Sequence, residues 1–278
     1  MTLAFRTKEG RQAVLEAYEK FIKGIRFPYE EINVDTRWGK AFVIAAGRRD
    51  SPNLILLHGS AMNSAMWFRD MEKYTEHFRV YAVDLQGEPG KSDPKQLPFS
   101  GPDFSDWLYD VYRGLGIQQA DIVGISLGAW LAQKFAIARP TMVSKMVLLS
   151  PAGIGRQRKS FALKALFYML FGSKGIERLY RKVNGSKDIP RIILDYQMLI
   201  GKHFNYRREE IPLFTDDELA QTKAYPMVIV GKKDVMFFSM ETAERYQRLV
   251  PHARVVVLEE DGHSLVMLTD QILDFLLE

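Results

Sequence analysis

"DIVGISLGAW", residues 121–130, places Ser126 between Gly124 and Gly128, directly after an apolar run that is typical of a buried strand. The next stretch, "AWLAQKFAIARP" (129–140), carries apolar residues at helical spacing and ends at a proline. We therefore predict that Ser126 occupies a sharp turn between a strand and a helix. Because Gly-x-Ser-x-Gly also arises by chance in chains of this length, the rest of the sequence must decide whether this turn is functional.

Short β-branched or apolar runs recur along the chain, with helical patterns between them. This alternation predicts an α/β fold, with a mainly parallel sheet whose strands are buried on both faces. Two earlier runs, "YEEINV" (29–34) and "AFVIAAG" (41–47), predict an antiparallel pair at one edge. The predicted parallel strands are 53–58, 80–84, 121–125, 145–150, 226–231 and 254–259.

Helix ends and a strand-free segment complete the predicted architecture. In "DFSDWLYDVYRGLG" (103–116), Asp103 or Ser105 is the predicted cap and Gly116 the stop, while Thr215 to Glu218 fits a capping box. From about 154 to 222 the pattern is helical and predicts an insertion. The expected domains are a helical extension (1–28), a core (29–153 and 223–278) and the helical insertion (154–222).

Composition narrows the possible functions. The chain has 278 residues with 47% hydrophobic content, and its charge of +4 is spread without a basic face, which argues against nucleic-acid binding. Residues 1–25 resemble an amphipathic helix rather than a secretory signal, so we expect a cytoplasmic protein. The absence of cysteine excludes disulfides, thiolate metal sites and a cysteine nucleophile. The apolar run 161–171 is too short to span a bilayer.

A serine hydroxyl needs a base, a carboxylate that orients this base, and donors for a developing oxyanion. The N–H of Leu127, at the start of the predicted helix, is one candidate donor. In "EEDGHSLVM" (259–267), His263 lies in a loop after the last strand and is the candidate base. Asp234, in "VIVGKKDVMF" (228–237), lies just beyond a strand end and is the candidate carboxylate, since Asp261 is too near His263 in sequence.

Five stretches in order, "LHGSAMNSAMW", "DLQGEPGKSD", "GISLGA", "VGKKD" and "DGH", resemble the successive landmarks of the α/β-hydrolase fold. The chain looks most similar to bacterial carboxylesterase-like hydrolases with a helical lid between strands 6 and 7. This resemblance implies an ester hydrolase with an acyl-enzyme intermediate, without metal or organic cofactor. It also implies that the N–H of Ser60, or alternatively of Ala61, is the second oxyanion donor and that His58 is structural.

The sequence departs from the family pattern after the fourth strand, where Glu88-Pro89 stands in place of a histidine found in many relatives. The segment "LQGEPGKS" (85–92) also approaches a phosphate-binding loop. However, Leu85 replaces its first glycine, and prolines follow where such a loop requires a helix, so we do not predict nucleotide hydrolysis.

The expected substrate is a small ester-like molecule with an apolar part. The predicted contact residues are Met62, Trp67, Phe161, Phe167 and Met236, and the apolar insertion is either a lid that selects the acyl chain or packing between helices. Thioesters, lactones and carbon–carbon bonds beside a ketone remain alternative substrates, as does a ligand-binding signalling role on the same scaffold. The oligomeric state stays open.

Overall fold

The computed structural model describes residues 3–185, 189–207 and 209–278, apart from the side chains of Ala162 and Met169. Over these residues the chain forms one eight-stranded sheet in the order β1-β2-β4-β3-β5-β6-β7-β8. The strands are β1 (Tyr29–Thr36), β2 (Gly39–Ala46), β3 (Asn53–Leu57), β4 (Arg79–Val83), β5 (Ala120–Ile125), β6 (Val143–Leu149), β7 (Tyr225–Gly231) and β8 (Arg254–Leu258).

Helices cover both faces of this sheet, and a short 3-10 helix spans Ser64–Trp67. The α-helices are α1 (Lys8–Lys23), α2 (Phe68–Tyr74), α3 (Asp103–Leu115), α4 (Leu127–Ala138), α5 (Ser160–Met169), α6 (Gly172–Val183), α7 (Arg191–His203), α8 (Asp216–Ala220), α9 (Ser239–Leu249) and α10 (Thr269–Leu277).

The strand pairing confirms the predicted α/β fold. Strands β3 to β8 run parallel, while β1 and β2 add an antiparallel edge through the pairing of β2 with β4. The central strands are buried along almost their whole length, as the apolar runs predicted. Since parallel strands end at the same edge, the loops after β3, β5, β7 and β8 meet there.

Two apolar cores hold the sheet between its helices. Trp107 of α3 and Trp130 and Phe135 of α4 are buried on one face, and Tyr18 of α1 and Phe275 of α10 on the other. Burial of each such side chain stabilises the fold by about 1.5–3 kcal/mol. The first helix therefore contributes side chains to the core.

Of the predicted helix ends, the stop of α3 and the cap of α8 are confirmed, whereas the predicted cap of α3 is wrong. Gly116 ends α3 in a left-handed conformation with φ of 71°, and Thr215 and Glu218 form the predicted capping box at α8. Neither Asp103 nor Ser105 caps α3, because the helix begins at Asp103 itself and the Ser105 hydroxyl donates to the Pro102 carbonyl oxygen at 2.8 Å. Both residues lie in the first turn instead.

The segment between β6 and β7 contains α5, α6, α7 and α8 and, in its described part, no strand beyond isolated bridges. Four apolar residues, three in α5 and one directly after it, are spaced as one helix face, point to solvent and are 57–78% exposed. They are Leu163, Leu166, Phe167 and Leu170. Within the described part of the chain, no helix is long and apolar enough to cross a membrane.

Candidate active site

Ser126 occupies the strained turn between β5 and α4. Its φ of 54° and ψ of −109° are unusual for a residue with a side chain. The strain is held by neighbouring backbone, since the Ser126 N–H donates to the Leu149 carbonyl oxygen at 2.9 Å and its own carbonyl oxygen accepts from the Trp130 N–H at 3.0 Å. The turn leaves the Ser126 side chain partly exposed at the edge where the parallel strands end. This is the geometry of a nucleophile elbow.

The two glycines of the elbow are required by close backbone approach. A Cβ at Gly124 would lie 2.5 Å from the Gly128 carbonyl oxygen, and a Cβ at Gly128 would lie inside contact distance of the Leu57 carbonyl oxygen. Their absent side chains therefore allow α4 to pack directly against β5 and β3.

Replacement of Gly128 with alanine is expected to destabilise the fold by about 3 kcal/mol, because its new methyl group meets backbone that has no room to move. Urea unfolding with an unchanged m-value would measure this loss. Gly101→Ala is the control, since a Cβ there meets nothing within 4 Å and only the φ of +75° opposes the substitution. Equal losses for both variants would contradict the close-packing explanation.

His263 and Asp234 form the second part of the site. Nδ1 of His263 lies 2.8 Å from Oδ2 of Asp234, and both side chains are buried. The other carboxylate oxygen, Oδ1, accepts hydrogen bonds from the backbone N–H groups of Met236 at 2.6 Å and Phe237 at 3.0 Å. A carboxylate that accepts at Nδ1 favours the tautomer in which Nε2 has a free lone pair, as a general base requires.

The neighbouring carboxylates have other partners. Glu259 forms an ion pair with Lys232 at 2.7 Å, and Glu260 pairs with Lys233 on the surface. Asp234, in contrast, is fixed by two backbone donors, and the ring of Phe237 packs edge-on against His263 with centroids 4.9 Å apart. The backbone of the Asp234 loop therefore fixes the orientation of the imidazole.

The loop after β3 runs beside Ser126. A Cβ at Gly59 would lie 3.6 Å from the Ser126 Cβ, so this loop and the elbow are in van der Waals reach. The first residue of α4, Leu127, has an N–H without an acceptor inside its own helix. Among the described residues no hydrogen bond engages the Ser60 N–H, whereas the Ala61 N–H donates to Oε2 of Glu88 at 2.7 Å. This difference favours Ser60 over Ala61 as an oxyanion donor.

The structure brings some predicted site residues together and leaves others apart. The hydrogen bonds of the described residues join His263 to Asp234 but do not join Ser126 to His263. His58 is buried and binds backbone on both sides, with Nδ1 at 2.8 Å from the Gly59 carbonyl oxygen and Nε2 accepting from the Leu85 N–H at 2.8 Å. Burial lowers the pKa of His58, which favours this neutral, bridging form.

The predicted substrate contacts have diverse environments. Trp67 is buried in the core on the α1 and α10 face of the sheet, while Phe167 is 57% exposed. Met62 and Phe161 are half-buried, and Met236, also half-buried, packs against the core two residues after Asp234. Met236 is therefore partly exposed and close to Asp234 and His263, whereas Trp67 packs in the core.

Four residues other than glycine have positive φ values between 41° and 62° in the described part of the chain. Ser126 is one, and Ala61, Ser150 and Met267 lie in the loops after β3, β6 and β8. Each such conformation costs on the order of 1–3 kcal/mol and persists only where surrounding contacts enforce it. Ser126 and Ser150 directly follow β5 and β6, and Ala61 lies four residues after β3, so three of the four strained residues lie close to this edge of the sheet.

Two buried carboxylates at this edge were not predicted from the sequence. The carboxylate of Asp84 accepts hydrogen bonds from the Tyr18 hydroxyl at 3.0 Å and the Ser64 N–H at 2.9 Å. Glu88 is also fully buried and lies 3.4 Å from Nε of Arg207. Glu88 stands out in the sequence only because an acid replaces a histidine that is found in many α/β-hydrolases. Its partner Arg207 could not be predicted, because it lies 119 positions away in the chain.

The insertion contacts the loops that carry the site. The Ser264 N–H donates to the Val183 carbonyl oxygen at the end of α6, at 3.2 Å. The Arg158 N–H donates to the Met236 carbonyl oxygen at 2.7 Å. Together with Arg207, which follows α7 and reaches Glu88, these contacts connect the insertion to the loops after β4, β7 and β8.

Comparisons with known proteins identify the family of this chain and several similar proteins. Residues 54–274 match the model of the Alpha/beta hydrolase family. Carboxylesterase YbfK of Bacillus subtilis (strain 168) is 29% identical over 274 residues, which cover 95% of this chain and 92% of the relative. The crystal structure of that protein, carboxylesterase CesB, gives a TM-score of 0.87 with 96% of this chain and 98% of that chain covered. Naproxen esterase (carboxylesterase NP) from Bacillus subtilis is 26% identical and also gives 0.87, covering 98% and 99%.

Proposed function

Because this chain belongs to the α/β-hydrolase family, we propose that it is a carboxylesterase in which Ser126, His263 and Asp234 act as a catalytic triad. The observation that carries the proposal is the 2.8 Å contact between His263 Nδ1 and Asp234 Oδ2, at the sheet edge where the elbow presents Ser126. The carboxylesterase relatives, which span nearly the whole chain, support an ester as the substrate.

In the proposed reaction, Ser126 Oγ attacks the ester carbonyl carbon while His263 Nε2 accepts the hydroxyl proton. The carbonyl oxygen becomes an oxyanion, which the N–H groups of Leu127 and Ser60 stabilise. Collapse of this intermediate breaks the ester C–O bond, and the imidazolium gives its proton to the departing alkoxide. Water, deprotonated by His263, then attacks the acyl-enzyme, and the carboxylic acid leaves as Ser126 regains its proton.

A panel of activated esters, thioesters and lactones tests the proposed function. Purified protein should hydrolyse at least one carboxylic ester, and Ser126→Ala should remove that activity while the protein stays folded. If the protein preferred a thioester or a lactone over every open-chain ester, the proposed triad would stand and the proposed substrate class would change. Failure of the folded wild-type protein on all substrates would favour the ligand-binding role.

We further propose that the helical insertion, residues 154–222, is a lid over this site. Its support is the set of contacts that Val183, Arg158 and Arg207 make with the loops at the strand ends. Because the apolar face of α5 is largely exposed, we assign acyl-chain selection to side chains nearer the Asp234 loop, of which Met236 is the best placed.

Met236→Ala is expected to shift the preferred acyl chain by one or two carbons towards longer chains. The reason is that one methylene in an apolar pocket is worth about 1–3 kcal/mol of discrimination, and the truncation makes room for it. The backbone N–H that Met236 donates to Asp234 is retained in this variant. Ratios of kcat/KM along a homologous ester series measure the shift.

The control for this substitution is Phe167→Ala, because the Phe167 side chain is largely exposed on α5. Its chain-length profile should match that of the wild type. A shift for Phe167→Ala without one for Met236→Ala would place the selective surface on the insertion instead.

A further inference from the structure

Glu88 is a fully buried carboxylate that the proposed reaction does not use. It lies in the loop that follows β4, where the sequence departs from the family pattern. An ionised carboxylate in the interior is costly unless partners compensate it, and a hydrophobic residue of similar size would avoid the cost. The presence of an acid here therefore calls for a role that an apolar side chain cannot fill.

One oxygen of this carboxylate binds the loop after β3. Oε2 of Glu88 accepts the Ala61 N–H at 2.7 Å and lies 3.4 Å from the Ser60 hydroxyl. Ala61 has a φ of 57°, a conformation that a residue with a side chain adopts only when its surroundings enforce it. A hydrogen bond to an ionised acceptor is roughly twice as strong as a neutral one, so Glu88 is the group that holds this strained peptide.

The other oxygen of Glu88, Oε1, is contacted by a residue of the insertion. Nε of Arg207 lies 3.4 Å from Oε1 of Glu88. The same guanidinium donates to the Leu97 carbonyl oxygen and stacks near the rings of Phe99 and Phe104, with 4.7 and 5.4 Å to the ring centroids. Arg207 is therefore fixed by groups other than Glu88 and provides a rigid cation against which the carboxylate is positioned.

We propose that Glu88, clamped by Arg207, is a positioning residue for the oxyanion hole: its carboxylate captures the Ala61 N–H and so keeps the adjacent Ser60 N–H free and directed at the substrate oxygen. This inference rests on the proposed function, since it assigns a purpose to the loop that carries Ser60. Through Arg207, it also makes the oxyanion hole depend on the segment after α7.

The charge of Glu88 is adjustable near neutral pH. Burial raises the pKa of Glu88 to about 7, against the opposing effects of Arg207 and of the Ala61 N–H. The other titratable groups around the pair are Tyr206, Glu209 and Arg6. Burial raises the pKa of Tyr206, and the nearby Glu88 raises it further. Because the folded state binds the Glu88 proton more tightly than an unfolded chain does, the stability that this group contributes is lost as pH rises from about 4.5 to about 7.

Glu88→Gln tests the positioning role, because the amide keeps the size of the side chain but removes its charge. We expect kcat to fall by about 10- to 100-fold with little change in KM, which is less than the 10²–10³ expected for complete loss of one oxyanion donor. Amide hydrogen exchange in the peptide that contains Ser60 and Ala61 should become faster. The matched control is Asp121→Asn, since Asp121 is a partly buried carboxyl that accepts the Lys145 N–H at 2.8 Å at the opposite edge of the sheet.

The pH dependence of kcat separates positioning from mere packing. Arg207→Met removes the cation that lowers the pKa of Glu88, so the acid limb of the profile should move to higher pH by about one unit. Arg207→Lys retains the positive charge and should leave the limb near its wild-type position. When Glu88→Gln is already present, Arg207→Met should no longer move the limb, since the group that responds has gone.

The hydrogen-exchange result decides the proposal independently of turnover. Unchanged exchange at Ser60 and Ala61 in folded Glu88→Gln protein would overturn it, as would an unchanged kcat in an enzyme whose wild-type form is active. An equal shift of the pH profile by Arg207→Met with and without Glu88 would overturn it as well. If the wild-type protein hydrolyses no ester, the proposed function fails, and faster exchange would still establish that Glu88 holds the loop.

Discussion

His263→Ala is expected to lower kcat on the best ester by a factor on the order of 10⁶, without loss of the fold. The imidazole takes the Ser126 proton on attack and returns it to the leaving group, so its removal disables both half-reactions. Ser126→Ala should cost about as much, and the double variant little more, because residues that act as one unit do not contribute additively. Steady-state turnover with circular dichroism of the same samples measures these effects.

His252 provides the control for this substitution. Its Nε2 lies 3.1 Å from the Ala224 carbonyl oxygen, just before β7 and so at the sheet edge opposite the proposed site. His252→Ala should therefore retain turnover close to that of the wild type. A folded His263→Ala protein with more than about a hundredth of wild-type kcat would contradict the assignment of the base, because general acid–base catalysis alone contributes about 10²–10⁴.

Asp234→Asn is expected to lower kcat on the order of 10⁴-fold. The amide retains the shape of the side chain, but its nitrogen donates where the carboxylate accepted, so it disfavours the His263 tautomer that carries a proton on Nδ1. Its remaining oxygen can still accept the Met236 and Phe237 N–H groups, which should preserve the loop. A kcat measurement beside a thermal melt separates the loss of turnover from any loss of stability.

Two nearby glutamates test whether Asp234 is the right carboxylate. Glu259 and Glu260 lie close to His263 in sequence but form ion pairs with Lys232 and Lys233 on the surface. Exposed pairs of this kind are worth about 0–1 kcal/mol, so Glu259→Gln and Glu260→Gln should change little. If folded Asp234→Asn kept near-normal turnover and one of the glutamate variants lost most of it, that glutamate and not Asp234 would be the carboxylate that orients His263.

Features encoded over short stretches could be predicted from the sequence. The run before Ser126 and the helix after it indicated the elbow because both patterns are local, and the glycines at 124 and 128 indicated close backbone approach. The strand runs sufficed for a mainly parallel sheet because buried parallel strands require continuous apolar residues. His263 and Asp234 were placed by their positions after strand ends, and parallel strands bring such positions to one edge.

Features that depend on long-range contact could not be predicted in this way. Nothing local pairs Glu88 with Arg207 or Tyr18 with Asp84, since these contacts join loops and helices far apart in the chain. The predicted cap of α3 was wrong because Asp103 and Ser105 are both common capping residues, whereas the helix begins at Asp103 itself, after Pro102. The exposure of one apolar face of α5 could not be predicted either, because apolar periodicity gives the shared face but not what covers it.

Covalent labelling with a fluorophosphonate tests whether Ser126 is an activated nucleophile, since only a serine with a base and an oxyanion hole reacts readily with this reagent. We expect peptide mapping to find a single modified residue, Ser126, with no labelling in Ser126→Ala and strongly slowed labelling in His263→Ala. A modified serine elsewhere, or no modification of the folded protein by small and large probes alike, would contradict the elbow as an active site.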